Sequence, residues 1–98
     1  MKIYIAGRIT GNPDYKRQFD EYADAIERAG HIPLNPAVLP GGMTPADYMR
    51  ICFAMIDSAD MIAFLPGYRE SKGAMLELAY TEYICKPNYY AASPEVLP

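Results

Sequence analysis

Two patterns of apolar residues alternate along the chain. Short unbroken runs, KIYIA at 2–6 and MIAFLPG at 61–67, are separated by longer stretches in which apolar residues return every three or four positions. The first pattern predicts buried strand and the second predicts helix with one buried face. Residues 2–6 are apolar and partly β-branched and break at Gly7, as a strand entering a turn does. Tyr15, Phe19, Tyr22, Ala23 and Ile26 then recur at helical spacing, while Lys16, Arg17, Asp20, Glu21, Asp24 and Glu27 take the opposite face. Asn12 stands where a cap is expected, Pro13 at the first helical position, and Gly30 closes the element.

HIPLNP at 31–36 predicts a second strand, which Pro33 and Pro36 hold to about four residues and to an edge position. Thr44, Pro45 and Asp47 form a cap, proline and acid signature, so a second helix is expected from Pro45 to Ser58, with Tyr48, Ile51, Cys52, Met55 and Ile56 inward. Residues 61–67 read as a central parallel strand, apolar on both faces. SKGAMLELAY at 71–80 opens a third helix that ends before Pro87 and reads as a packed helix, yet it sets one carboxylate, Glu77, between Leu76 and Leu78. NYYAA at 88–92 is a fourth strand and SPEVLP a loose tail. The order β-α-β-α-β-α-β predicts a single-domain α/β protein over residues 1–98: a three-layer αβα sandwich with a doubly wound parallel sheet of four or five strands, of flavodoxin/Rossmann-like class.

Composition narrows the function classes. A chain of 98 residues holds one domain with a modest core. A net charge of −3 with mixed signs gives no basic face for duplex nucleic acid, and no apolar run reaches the roughly 18 residues of a membrane span. Cys52 and Cys85 belong to no metal-spaced cluster, so they read as buried free thiols in a reducing cytoplasm, with no metal. Neither GxGxxG nor GxxxxGK[ST] occurs, and no cofactor is expected. Nine tyrosines against three phenylalanines and no tryptophan imply apolar surfaces with a hydrogen-bonding tip, some of them at a contact between copies: Tyr48, Tyr80, Tyr83, Tyr89 and Tyr90 are the candidates for a homo-oligomer.

In an open parallel sheet ligands sit beyond the carboxyl ends of the strands, which selects GRITGNP after the first strand and PGYRESKG after the third. Gly7 and Gly11 allow tight turns or close approach to a ligand. Arg8, Thr10, Arg69, Ser71 and Lys72 supply donors, and two helix starts add free N–H groups. That chemistry suits a phosphate or another anion. Glu77 lies one turn beyond Gly73 on the same helix face, so its carboxylate can reach the cleft past a residue without a side chain. Tyr4, Arg8 and Ser71 are expected around it; the alternative is a Glu77 paired with Arg69 or Lys72, or turned to solvent.

YIAGRITG, PDY, AGHIPLNPA and SADMIAFLPGYRESKGAMLELAY together resemble the compact members of the nucleoside 2-deoxyribosyltransferase-like superfamily, including small proteins of phages and their bacterial hosts, over about residues 2–90. The resemblance implies cleavage or exchange of the N-glycosidic bond of a 2′-deoxynucleoside or its 5′-monophosphate. Glu77 would be the nucleophile, Tyr4 the group holding it, and Gly7, Arg8, Thr10, Ser71 and Gly73 the residues that bind substrate. It also implies a small-molecule nucleoside or nucleotide as partner, and relatives that assemble as oligomers. The catalytic aspartate of the superfamily would fall eight residues before Asp60, where this chain has Cys52. A non-catalytic nucleotide-binding module, and a small assembly protein that keeps only the fold, are the competing readings.

Overall fold

The structure, a computed structural model, describes residues 1–95. Four strands, β1 (Lys2–Ala6), β2 (Ile32–Leu34), β3 (Met61–Phe64) and β4 (Asn88–Tyr90), form one parallel sheet in the order β2-β1-β3-β4. Ile3 lies beside Pro33 and Met61, and Tyr4 beside Leu34 and Ile62. The proline-bearing β2 takes an edge, where an absent N–H costs no ladder bond. Asp60 fixes the start of the β1–β3 pair: its amide donates to Lys2 O, and its carboxylate accepts from Lys2 N at 2.8 Å.

Three helices cover the sheet: α1 (Tyr15–Arg28), α2 (Pro45–Ser58) and α3 (Lys72–Tyr83). Strand alternation sends Ile3 and Ile5 to one face, where they pack with Phe19, Tyr22 and Ile26 of α1. Tyr4 and Ala6 point to the other face, against Cys52 and Ile56 of α2 and Leu78 and Tyr80 of α3. The result is the αβα sandwich expected from the sequence. α1 alone lies on one side, as right-handed crossovers require when the chain runs outward from β1 to β2 and then returns past β1 to β3. The reversal of direction falls between β1 and β3, the switch point of the sheet.

Local chemistry explains the helix ends, with one correction. Thr44 and Asp47 form a reciprocal capping box at the start of α2, with Pro45 at the first helical position. α1 starts two residues later than the Asn12–Pro13 signature predicts, at Tyr15, with Asp14 flanking it and making no side-chain cap. Asn12 uses its side chain elsewhere, donating to Arg8 O and to Gln18 Oε1, both at 3.0 Å. β3 ends at Phe64 rather than Gly67, although Leu65 is still buried. Part of the expected tail, residues 96–98, lies outside the described residues. Among the described residues no helix is long and apolar enough to cross a membrane.

The largest departure concerns α3. Its buried residues are Ala74, Glu77 and Thr81, whereas Met75 and Leu76 are 40% and 57% exposed and Tyr83 88% exposed. The helix has no clean apolar face: Glu77 and Thr81 turn toward the sheet together with Ala74, Leu78 and Tyr80, while Met75, Leu76 and Tyr83 turn outward.

Candidate active site

Ser71 sets the phase of α3. Its hydroxyl accepts from Ala74 N at 3.1 Å and caps the helix, so residues 74, 77 and 81 turn toward the sheet. Glu77 thereby reaches β1. Its Oε2 accepts a hydrogen bond of 2.6 Å from the hydroxyl of Tyr4, and both side chains are buried. Cys52, from the middle of α2, closes the same cluster, its thiol near enough to perturb both groups. Three elements therefore converge on one carboxylate. No cation accompanies it among the described residues, since Arg69 and Lys72 are exposed and neither pairs with Glu77.

The electrostatics follow from burial without a counter-charge. Desolvation raises Glu77 from 4.5 to about 7, and the hydrogen bonds from Tyr4 and Cys52 offset only part of that rise. Burial likewise pushes the Cys52 thiol up to about 11 and Tyr4 well above its usual value, with the Glu77 charge adding to both. Near neutral pH the cluster thus holds one carboxyl poised at half ionisation beside two groups that stay protonated. Perturbed carboxyls of this kind concentrate at functional sites, because a Leu or Met at the same position would pack at no electrostatic cost.

The other candidate residues separate. Gly7 serves packing rather than the Glu77 cluster: a Cβ there would stand 3.1 Å from Phe19 Cζ and 3.2 Å from Leu65 Cβ, on the α1 side of the sheet. Gly11, at φ +79°, makes the turn and leaves room for the Arg8 guanidinium, whose Nη2 would lie 2.8 Å from a Cβ. Arg8 reaches Glu70 at 3.5 Å, and its Nε is buried with no hydrogen-bond partner. It lines a cleft of about 410 Å³ at the switch point, between the start of α1 and the loop after β3, with Asn12, Arg17, Gln18, Gly67 and Glu70 among its walls. Thr10 is exposed and lies outside that lining. Ser71 spends its hydroxyl oxygen on the helix cap.

Gly73 opens space, but a side chain uses it. The methyl of Met49, on α2, lies 3.3 Å from where a Gly73 Cβ would stand. A flexible thioether therefore occupies the route past Gly73 toward Glu77. Nothing in the sequence signalled Met49, because its role depends on how α2 packs against α3. Glu70, the partner of Arg8, was legible only as one more charge in a turn. Asp47 and Asp57, the remaining acids of α2, are committed elsewhere, Asp47 to the capping box and Asp57 to a 2.6 Å hydrogen bond from the Tyr80 hydroxyl. Among the described residues no group of three or more His, Cys, Asp or Glu is arranged to hold a metal ion.

A doubly wound parallel sheet with a buried, hydrogen-bonded carboxyl beside its switch point defines an α/β protein built around one acid. Residues 1–90 match the family described as Domain of unknown function (DUF4406), and the chain belongs to that family. No curated protein matches the sequence.

Proposed function

We propose that this protein cleaves or exchanges the N-glycosidic bond of a 2′-deoxynucleoside or its 5′-monophosphate, with Glu77 as the nucleophile. The observation that carries the reading is the Glu77–Tyr4 pair, a buried carboxyl with a pKa of about 7 held by a 2.6 Å hydrogen bond. The ionised carboxylate attacks C1′, the glycosidic bond breaks, and the base leaves with the bonding electrons. The covalent glycosyl ester on Glu77 is then opened by water or by a second base, the two-step course of retaining glycosidases. Tyr4 keeps the free oxygen of the carboxylate in line. Displacement of the Met49 side chain admits the sugar.

Arg8 supports an anionic substrate. It lines, with Arg17 but also Asp14, Glu21 and Glu70, an open cleft at the sheet edge on the α1 side, and its guanidinium, held only by a long ion pair to Glu70, is the group available to a 5′-phosphate oxygen. The two free thiols fit a reducing cytoplasm, although only Cys52 is buried as expected; Cys85, at φ 60° just past the end of α3, is exposed.

One observation favours a second reading, a nucleotide-binding module without turnover. The buried cluster has Cys52 where a second acid would protonate the departing base, and a thiol with a pKa of about 11 is a poor proton donor at neutral pH. Incubation with 2′-deoxynucleoside 5′-monophosphates, with free base followed by chromatography, separates the two. Wild type releases base and Glu77→Ala does not; binding without release over hours favours the module, and release by Glu77→Ala sinks the assignment.

A further inference from the structure

The outward face of α3 carries an exposed apolar stripe between two charged ends. Lys72, Leu76, Ala79 and Tyr83 follow one another at helical spacing down its centre line, with Met75 and Glu82 on one flank. All six are exposed, and this stripe lies opposite Ala74, Glu77 and Thr81, so the sheet does not use it. The chain thus carries an unpartnered helix face bracketed by a cation at its start and an anion at its end. Neither charge is engaged: among the described residues no ion pair includes Lys72 or Glu82.

We infer that this face pairs with the same face of a second copy, the two α3 helices running antiparallel about a twofold axis near residues 77–78. The charges select that arrangement. Lys72 and Glu82 are ten residues apart, about 15 Å along a helix, and lie almost symmetrically about the midpoint between Leu76 and Ala79. In an antiparallel pair Lys72 of each copy therefore faces Glu82 and Tyr83 of the other, while Leu76 meets Ala79 across the axis. A parallel pair would instead oppose Lys72 to Lys72 and Glu82 to Glu82.

The adjoining surface extends the contact. A groove of about 560 Å³ beside the stripe is lined by Tyr68, Arg69, Met75, Leu78, Glu82 and Tyr90, with Tyr90 half exposed. Of the tyrosines suggested for a contact between copies, this face takes Tyr83 and Tyr90. Tyr48 and Tyr80 direct their hydroxyls to Pro40 O and Asp57, and Tyr89 packs on the α1 side of the sheet. A face centred on one 12-residue helix falls at the small end of stable interfaces, so monomer and dimer interconvert rather than forming an obligate pair. This inference stands independently of any activity at Glu77, which lies on the opposite side of the helix.

Sedimentation velocity of the full chain over a wide concentration range tests it. Wild type shows a monomer–dimer equilibrium. Leu76→Glu is monomeric throughout, with circular dichroism confirming that it is folded. Lys72→Glu and Glu82→Lys sit at exposed positions and keep the fold; each turns two attractive contacts repulsive and raises the dimer Kd about tenfold. The double variant Lys72→Glu/Glu82→Lys restores the attraction and returns Kd to near the wild-type value. A wild type that stays monomeric, a Leu76→Glu protein that dimerises normally, or a double charge variant no better than the singles would overturn the proposal.

Discussion

Replacing Glu77 by Gln should stabilise this protein above neutral pH and leave it unchanged below about pH 4. The side chain is 4% exposed and its carboxyl is raised from 4.5 to about 7, so the folded protein holds a proton over a window where the unfolded chain does not. Folding stability therefore falls as pH rises through that window and stays lower above it, the opposite sign to a salt-bridged carboxylate. At about 1.4 kcal/mol per pH unit, the wild type loses roughly 3 kcal/mol between its two limits. Glutamine keeps the shape and the acceptor for Tyr4 but cannot ionise. Thermal unfolding followed by circular dichroism, at steps from about pH 3.5 to pH 8, reads the difference between the two proteins and cancels groups they share. The curves should coincide at the acid end and diverge in favour of Glu77→Gln at the alkaline end, by on the order of 10 °C for a domain of this size. Parallel curves across the range would refute the claim that burial, rather than a hidden counter-charge, governs Glu77.

Tyr4→Phe removes the stronger hydrogen bond to the carboxylate, so Glu77 titrates at a higher pH still; the pH-dependent stability loss should move alkaline, and an unmoved midpoint would remove Tyr4 from its holding role. Gly7→Ala forces a methyl to 3.1 Å from Phe19 and 3.2 Å from Leu65 and should cost about 1–3 kcal/mol in urea unfolding, whereas Gly41→Ala, with nothing within 4 Å, should stay within about 0.5 kcal/mol. Equal losses would contradict the packing account of Gly7. With a thiol reagent at about pH 8, the exposed Cys85 should react in the native protein and Cys52, buried with a pKa of about 11, only after denaturation; two fast equivalents would place Cys52 outside the cluster.

Much of the fold was legible because local signals agreed with the long-range arrangement. β1 and β3 announce themselves as short apolar runs, and Thr44–Pro45–Asp47 marks the start of α2 without ambiguity. Asn12–Pro13 carries an equally good signature that the structure does not use, because the Asn12 side chain is drawn to Arg8 and Gln18, contacts that exist only once the loop is folded. Glu77 stood out as an acid in an apolar frame, and its partner Tyr4 could be named because strand and helix meet at the sheet. Which side of α3 faces that sheet was less visible. Leu76 and Leu78 look alike in sequence, yet one is exposed and the other packs in the core beneath α2. The rest depended on layering that sequence spacing does not encode, namely Met49 over Gly73 and Gly7 against Phe19.

This arrangement ties the proposed chemistry to a visible liability. A carboxyl buried without a cation weakens the fold at the pH where its ionised form could act, and Glu77 is the only buried acid among the described residues. Substituting Asp for Cys52 probes the trade directly. A second carboxyl beside Glu77 should lower stability further through like-charge repulsion, while supplying the proton donor that the cluster lacks; faster base release at reduced melting temperature is the expected pair of results.

The most direct measurement is the mass of the intact protein after brief incubation and acid quench with a panel of 2′-deoxynucleosides and their 5′-monophosphates, followed by peptide mapping. Nucleophilic attack by Glu77 predicts an adduct of one deoxyribosyl or deoxyribosyl-phosphate group on the peptide containing Glu77, absent from Glu77→Gln. Base release with no adduct on that peptide, under conditions that trap the ester, would contradict it.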